Sequence, residues 1–346
     1  MEFAKLIKKF ESELALSSNH LLNSNERYKS DFIKILKVLF DENVIANHKK
    51  MNSYFTRLQL TNKFDKNTYL QSISEIMFLK YVIDKNYTYK LDHTVNQNKN
   101  TDIDLLVIDK DFTYNFEIKC PQLSNSISSD KLGIEVLGRF GSKEDFKNEM
   151  NIMNNKIFTK ITKDDSNTYD GIEYKKIEDN KLKDYLLSAQ GKFDDSSDSS
   201  INILIVTLES EKFSAYVNYL TNKLNGFFIP EPLNGHIIQP SEFNKVDVVL
   251  LSNLVDKHLN IVENTDSWNL YNSINLFYVN HNSKKFTKSN SSNKILEELF
   301  NLIPNSTLDF EKWRFDWYKN MENEGVPDLF KFIEPLLLTS YLSASH

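Results

Sequence analysis

Asp104, Glu117 and Lys119 are the residues whose types and spacing could do chemistry. They interrupt two apolar runs, Asp102-Ile103-Asp104-Leu105-Leu106-Val107-Ile108 and Phe116-Glu117-Ile118-Lys119-Cys120-Pro121. A charge inside such a run is costly unless it is paired or bound to a metal. Asp104 and Glu117 offer hard oxygen ligands for one divalent cation, with the Ile118 carbonyl as a further ligand. Such an ion polarises a phosphate and lowers the pKa of a bound water. Lys119 would orient that water or offset charge in the transition state. The chemistry expected of the trio is metal-assisted phosphodiester hydrolysis.

The elements that must position these groups follow from the pattern. Both runs alternate as strands, so Glu117 and Lys119 share one face while Phe116, Ile118 and Cys120 share the other. Asp109-Lys110-Asp111 reads as the hairpin connection between them. Tyr87 to Leu91 reads as a preceding strand. Upstream, Thr68 can cap a helix and Gln71 can complete a capping box. That helix is strongly apolar through Ser72-Ile73-Ser74-Glu75-Ile76-Met77-Phe78-Leu79, and Glu75 lies a full turn beyond the cap. Downstream, Asp179 to Phe193 reads as a helix and Ile201 to Leu208 as a buried strand.

This order resembles the PD-(D/E)xK nuclease superfamily over roughly residues 67 to 210. Asp104 matches the acid of the first half and Glu117-Ile118-Lys119 the E-x-K. The resemblance implies an α/β, restriction-endonuclease-like mixed central sheet flanked by helices, with added N-terminal and C-terminal helical elements. It also implies that Glu75 is the glutamate this family often carries on the preceding helix. The later helix often lends a Lys or Gln to the site, here Gln190. The expected catalytic set is therefore Asp104, Glu117, Lys119, Glu75 and Gln190, with Asp104, Glu117 and Ile118 holding Mg2+ or Mn2+. The sequence departs from the family pattern in having no proline before Asp104 and a long insertion after Lys119. The activity implied is endonucleolytic cleavage of DNA, most naturally double-stranded, in a restriction or phage-defence setting with a homodimer or defence-complex partner. RNA or branched DNA as substrate, and a binding or assembly subunit without cleavage, are the alternatives.

The remainder of the chain is organised around that core. Residues 1–62 form an N-terminal helical segment, 63–285 the nuclease-like domain with an insertion at 121–178, and 286–346 a C-terminal helical segment. Within the insertion, Leu132 to Gly141 reads as a glycine-containing loop or hairpin, with Arg139 and Lys143 as candidate phosphate contacts. Ser142 to Thr162 reads as a helix capped by Ser142, and Asp194 to Ser200 as a flexible polar linker. At 346 residues, with 12% aromatic and 40% hydrophobic residues, the chain can bury a sizeable core. A net charge of −6 excludes a globally basic nucleic-acid binder and leaves room only for a local basic cleft. One cysteine, Cys120, excludes an internal disulfide and a multi-cysteine zinc site. No phosphate-binding glycine loop or dinucleotide fingerprint is present. With no apolar signal region and no membrane-length apolar run, a cytoplasmic location is expected.

Overall fold

The computed structural model describes residues 2–60, 63–95, 101–123, 132–136, 143–153, 172–176, 178–233, 238–261, 266–288 and 292–304. The fold is α/β, a six-stranded mixed sheet with helices on both faces. Three helices come first: α1 (Phe3–Leu14), α2 (Glu26–Asp41) and α3 (His48–Arg57). Asn25 and Asn47 cap the second and third by accepting from Tyr28 and Lys50 amides.

Helix α4 (Lys66–Asp84) follows and lies on the sheet. Its N-cap is Asp65, which accepts from the amides of Asn67 and Thr68. The expected capping box of Thr68 and Gln71 is therefore replaced, and Gln71 is left for another task. At the other end Asn86 adopts φ 58 and lets the chain turn into the sheet.

Strands β1 (Thr88–His93), β2 (Ile103–Asp109) and β3 (Phe112–Lys119) form an antiparallel meander. The β2–β3 turn is Lys110-Asp111, with Lys110 at φ 53. Of the segment expected as a loop or hairpin, 132–141, the described residues form β4 (Leu132–Val136), which pairs in parallel with β5 (Ile172–Lys176) as a separate two-stranded sheet; 137–141 lie outside the described residues. Helix α5 (Lys143–Met153) lies between them in sequence and begins one residue after Ser142; residues 154–162 of the expected helix lie outside the described residues.

Helix α6 (Glu178–Lys192) leads into β6 (Ser200–Thr207), which joins β3 in parallel. Helix α7 (Ser210–Thr221), strand β7 (Val248–Ser252), helix α8 (Leu254–Leu259) and strand β8 (Asn275–Val279) follow. β7 is parallel to β6 and β8 antiparallel to β7, giving the order β1-β2-β3-β6-β7-β8. Helices α9 (Lys284–Lys288) and α10 (Ser292–Leu302) come last among the described residues. The rest of the C-terminal segment expected to be helical, 305–346, lies outside them.

Strand alternation divides the core in two. Ile201, Ile203, Ile205, Val248 and Leu250 face α1, α2, α4 and α10, whereas Leu204, Val206, Val249 and Leu251 face α6 and α7. The N-terminal helices thus share one continuous core with the sheet. A buried polar chain fastens them there. The Tyr28 hydroxyl lies 2.9 Å from that of Tyr69 and 2.7 Å from His258 Nδ1, and the Trp268 indole donates to the Tyr28 carbonyl. The polar 194–200 segment is tied down rather than loose. Lys284 pairs with Asp195, and Lys285 donates to the carbonyls of Ser197 and Ser200.

Candidate active site

The site exists because β2 and β3 stop pairing. Their antiparallel register ends at Leu105 opposite Phe116. One residue further, the Asp104 carboxylate accepts the Ile118 N–H at 2.7 Å in place of a backbone carbonyl. Gln71 takes over beyond that. Its amide nitrogen donates to the Ile118 carbonyl at 3.0 Å, and its oxygen accepts the Cys120 N–H at 2.7 Å. Buried backbone groups must be satisfied, so these two side chains let the strands splay without orphaned donors. On its other side β3 stays paired with β6 through Lys119 opposite Val206. The Ser74 and Thr207 hydroxyls, 2.8 Å apart, back that end, and Thr207 donates to the Lys119 carbonyl.

Glu117 occupies the fork and is fully buried. Lys119, two residues along the same face, places Nζ 2.6 Å from Glu117 Oε1. Lys192, the last residue of α6, places Nζ 2.7 Å from Oε1 and 2.8 Å from Oε2. A buried carboxylate with two ammonium partners is stable only as a matched cluster. Asp104 feels the same field. Burial raises its carboxyl pKa first, and the neighbouring Glu117 charge raises it further; the Ile118 N–H, Lys192 and Lys119 pull it back only in part.

Glu75 sits beside this fork on α4. It accepts from the Gln71 amide at 2.8 Å and forms an ion pair with Arg57 at the end of α3. Gln71 therefore links the helix carboxylate to the strand backbone. Lysines, carboxylates and the amide together make a charged edge on the sheet.

Of the residues expected from sequence, Asp104, Glu117 and Lys119 meet at the fork, and Glu75 is joined to it through Gln71. The Ile118 carbonyl, expected to face a cation, accepts a hydrogen bond from Gln71 and retains its second lone pair. Gln190 is elsewhere. Its amide donates to Ser241 and Asn244 and accepts from the Lys245 N–H. Two helical residues are about 200° of rotation, so Gln190 and Lys192 cannot serve the same side, and Lys192 has the place expected of Gln190. Arg139 lies outside the described residues, and Lys143 opens α5.

Three contributors were missed. Gln71 stands four residues before Glu75, on the same helical face of an otherwise buried helix, and that pairing was a legible signal. Lys192 could be read only once the rotation of α6 was fixed. Arg57 carries no local sign of its role.

The donor set suits a hard cation in chemistry. Two close carboxylates, one with a raised pKa, and a backbone carbonyl are oxygen ligands, and magnesium is commonly held by one or two carboxylates with water completing its shell. Among the described residues, no three His, Cys, Asp or Glu side chains converge to hold a metal ion. No helix among them is long and apolar enough to cross a membrane. Comparison with protein-family models, curated proteins and solved structures finds no match.

Proposed function

We propose that this chain is a metal-dependent endonuclease that hydrolyses DNA phosphodiester bonds at the β2–β3 fork. The observation that carries the reading is the buried Glu117 carboxylate gathered with Asp104, Lys119 and Lys192 where two strands separate. A structural ion pair needs one partner, whereas here two lysines and a second carboxylate share one edge. A carboxyl of raised pKa inside a charged cluster, as Asp104 is here, is the arrangement that often accompanies a functional site. The chain order α4-β1-β2-β3-α6-β6, with an antiparallel meander and β6 parallel to β3, supports the restriction-endonuclease-like reading.

Asp104 and Glu117, with the Ile118 carbonyl, are the groups that would hold Mg2+ or Mn2+. That ion supplies Lewis acidity at a phosphate oxygen and acidifies water. The chain's own residues do the rest. Lys119, fixed by β3, holds positive charge where the attacking water and the phosphate meet. Lys192 pairs with Glu117 and partly offsets the burial and the Glu117 charge that raise the Asp104 pKa. Charge that develops on the phosphoryl oxygens meets ammonium groups already in position. Gln71 keeps the end of β3 in register with α4, and Glu75 supplies a further carboxylate beside the fork.

Cleavage of supercoiled plasmid, single-stranded DNA and RNA, with magnesium, manganese or chelator, tests the reading. Wild type should cut in a metal-dependent way, and Asp104→Ala and Lys119→Ala should not. Equal cutting by all three would refute the assignment. Metal binding without cutting would favour a binding subunit.

A further inference from the structure

A cavity of about 280 Å³ opens beside Asp104, between α3, α4 and strands β1 and β2. Ile76, Leu79, Leu91 and Leu105 form its apolar wall. Tyr54, Arg57, Glu75 and Asp104 bring half-buried polar groups, with Lys50, Ser53 and Asp92 at the exposed rim. Ligand pockets begin at about 300 Å³, so this space suits one planar ring system and not a stacked pair.

Charge decides what kind of ring. Three carboxylates face two cations here, and one of those cations, Arg57, is already paired with Glu75. A phosphate entering would meet the carboxylates, whereas an uncharged ring carrying amine N–H groups would find acceptors. Asp92 is held at φ 46, a backbone conformation few residues other than Asn, Asp and Gly adopt, in the strand beside β2. The Tyr54 ring carries the Arg57 guanidinium 5.5 Å from its centroid, a flat surface of the sort on which bases stack. Burial pushes the Tyr54 hydroxyl up to about 12, so it stays a hydrogen-bond donor at neutral pH.

We propose that this cavity receives one unstacked nucleobase bearing an exocyclic amine, from a nucleotide adjoining the phosphate at Asp104. Asp92 accepts from the amine, and Tyr54 with Arg57 forms the surface against which the ring lies. The inference rests on the nuclease reading and adds a demand on the substrate: a base must leave its stack before or during cleavage.

The test uses a duplex that wild-type protein cuts, with the cut site mapped. 2-Aminopurine, which brightens when unstacked, replaces the base on either side of the cleaved phosphate, and fluorescence is followed on titration with protein in chelator. A several-fold rise at one of the two positions is expected. In Asp92→Gly, which suits the positive φ, and in Tyr54→Ala, that rise should require at least about fivefold more protein, the lower end of a base–aromatic stack. Tyr54→Phe keeps the ring and should retain most of the signal. A duplex that is cut but shows no rise at either position overturns the pocket and leaves the nuclease reading standing. So does a rise unchanged in both Asp92→Gly and Tyr54→Ala. Failure to cut any nucleic acid with metal present overturns both.

Discussion

Replacing Lys192 by methionine keeps the side-chain bulk and removes one of two cations from a carboxylate that has no exposure to solvent. Breaking a buried ion pair by deleting one partner costs about 3–5 kcal/mol when the remaining charge is left alone. Glu117 is not left alone, because Lys119 stays 2.6 Å away, and the Lys192 side chain is itself 22% exposed. The expected loss is therefore below that range, about 2 kcal/mol. For a chain of 346 residues each kcal/mol moves the midpoint by roughly 1–2 °C, so Tm should fall by about 2–4 °C in chelator. Removing Lys192 also removes a charge that holds the Asp104 pKa down, leaving Asp104 harder to ionise. Divalent cation should then recover more Tm in Lys192→Met than in wild type, because it replaces the missing charge. Thermal unfolding at pH 7, with chelator or magnesium, measures both quantities. Gln190→Met is the control. It loses bonds to Ser241, Asn244 and Lys245 on another side of α6 and should leave the response to metal unchanged. If Lys192→Met unfolds within a degree of wild type, the argument that Glu117 depends on α6 is wrong.

Asp104→Asn should abolish cleavage yet stabilise the metal-free protein by about 1 kcal/mol near neutral pH, as relief of a strained functional site often does. Its pKa is raised in the fold, so the ionised form is disfavoured there, and the gain should vanish in acid, where Asp104 is protonated; urea unfolding against pH reads this. Gln71→Ala leaves the Ile118 carbonyl and Cys120 N–H without their side-chain partner and should cost about 1–3 kcal/mol. It should also lower cleavage several-fold although Gln71 carries no charge, as kcat measured beside the urea midpoint would show. His258 is held at about 3 by burial, against 6.5 unfolded. The unfolded chain therefore takes up a proton first as pH falls. Stability should be full above pH 6.5 and decline below it, with a slope approaching ~1.4 kcal/mol per pH unit from this residue. His258→Phe should flatten that acid limb, whatever it costs at neutral pH.

The strands and the grouping of their charged residues were legible because alternation is a strong signal. Asp104, Glu117 and Lys119 break apolar runs whose register leaves little choice of face, and β6 reads as an unbroken apolar strand. What lay beyond reach depended on geometry between elements. Thr68 and Gln71 satisfy a capping-box pattern, but Asp65, three residues earlier, takes the cap, and Gln71 spans to a strand 47 residues away. On α6, Gln190 was the residue expected at the site, and only the helix's rotation against β3 brings Lys192 there instead. The parallel pairing of β4 with β5 joins segments far apart in sequence, which no local pattern encodes. Arg57 reaches Glu75 only because α3 packs beside α4, a tertiary accident as far as the sequence is concerned.

At the fork, the Ile118 and Cys120 amide protons are held by Asp104 and Gln71 rather than by a neighbouring strand. Their solvent exchange is thus governed by two side chains and not by opening of the sheet. In an NMR spectrum these two amides would act as built-in gauges of the site. A change in the state of Asp104 alone would shift Ile118, and a movement of α4 against β3 would shift Cys120, while the signals of Phe116 and Tyr114 stayed in place.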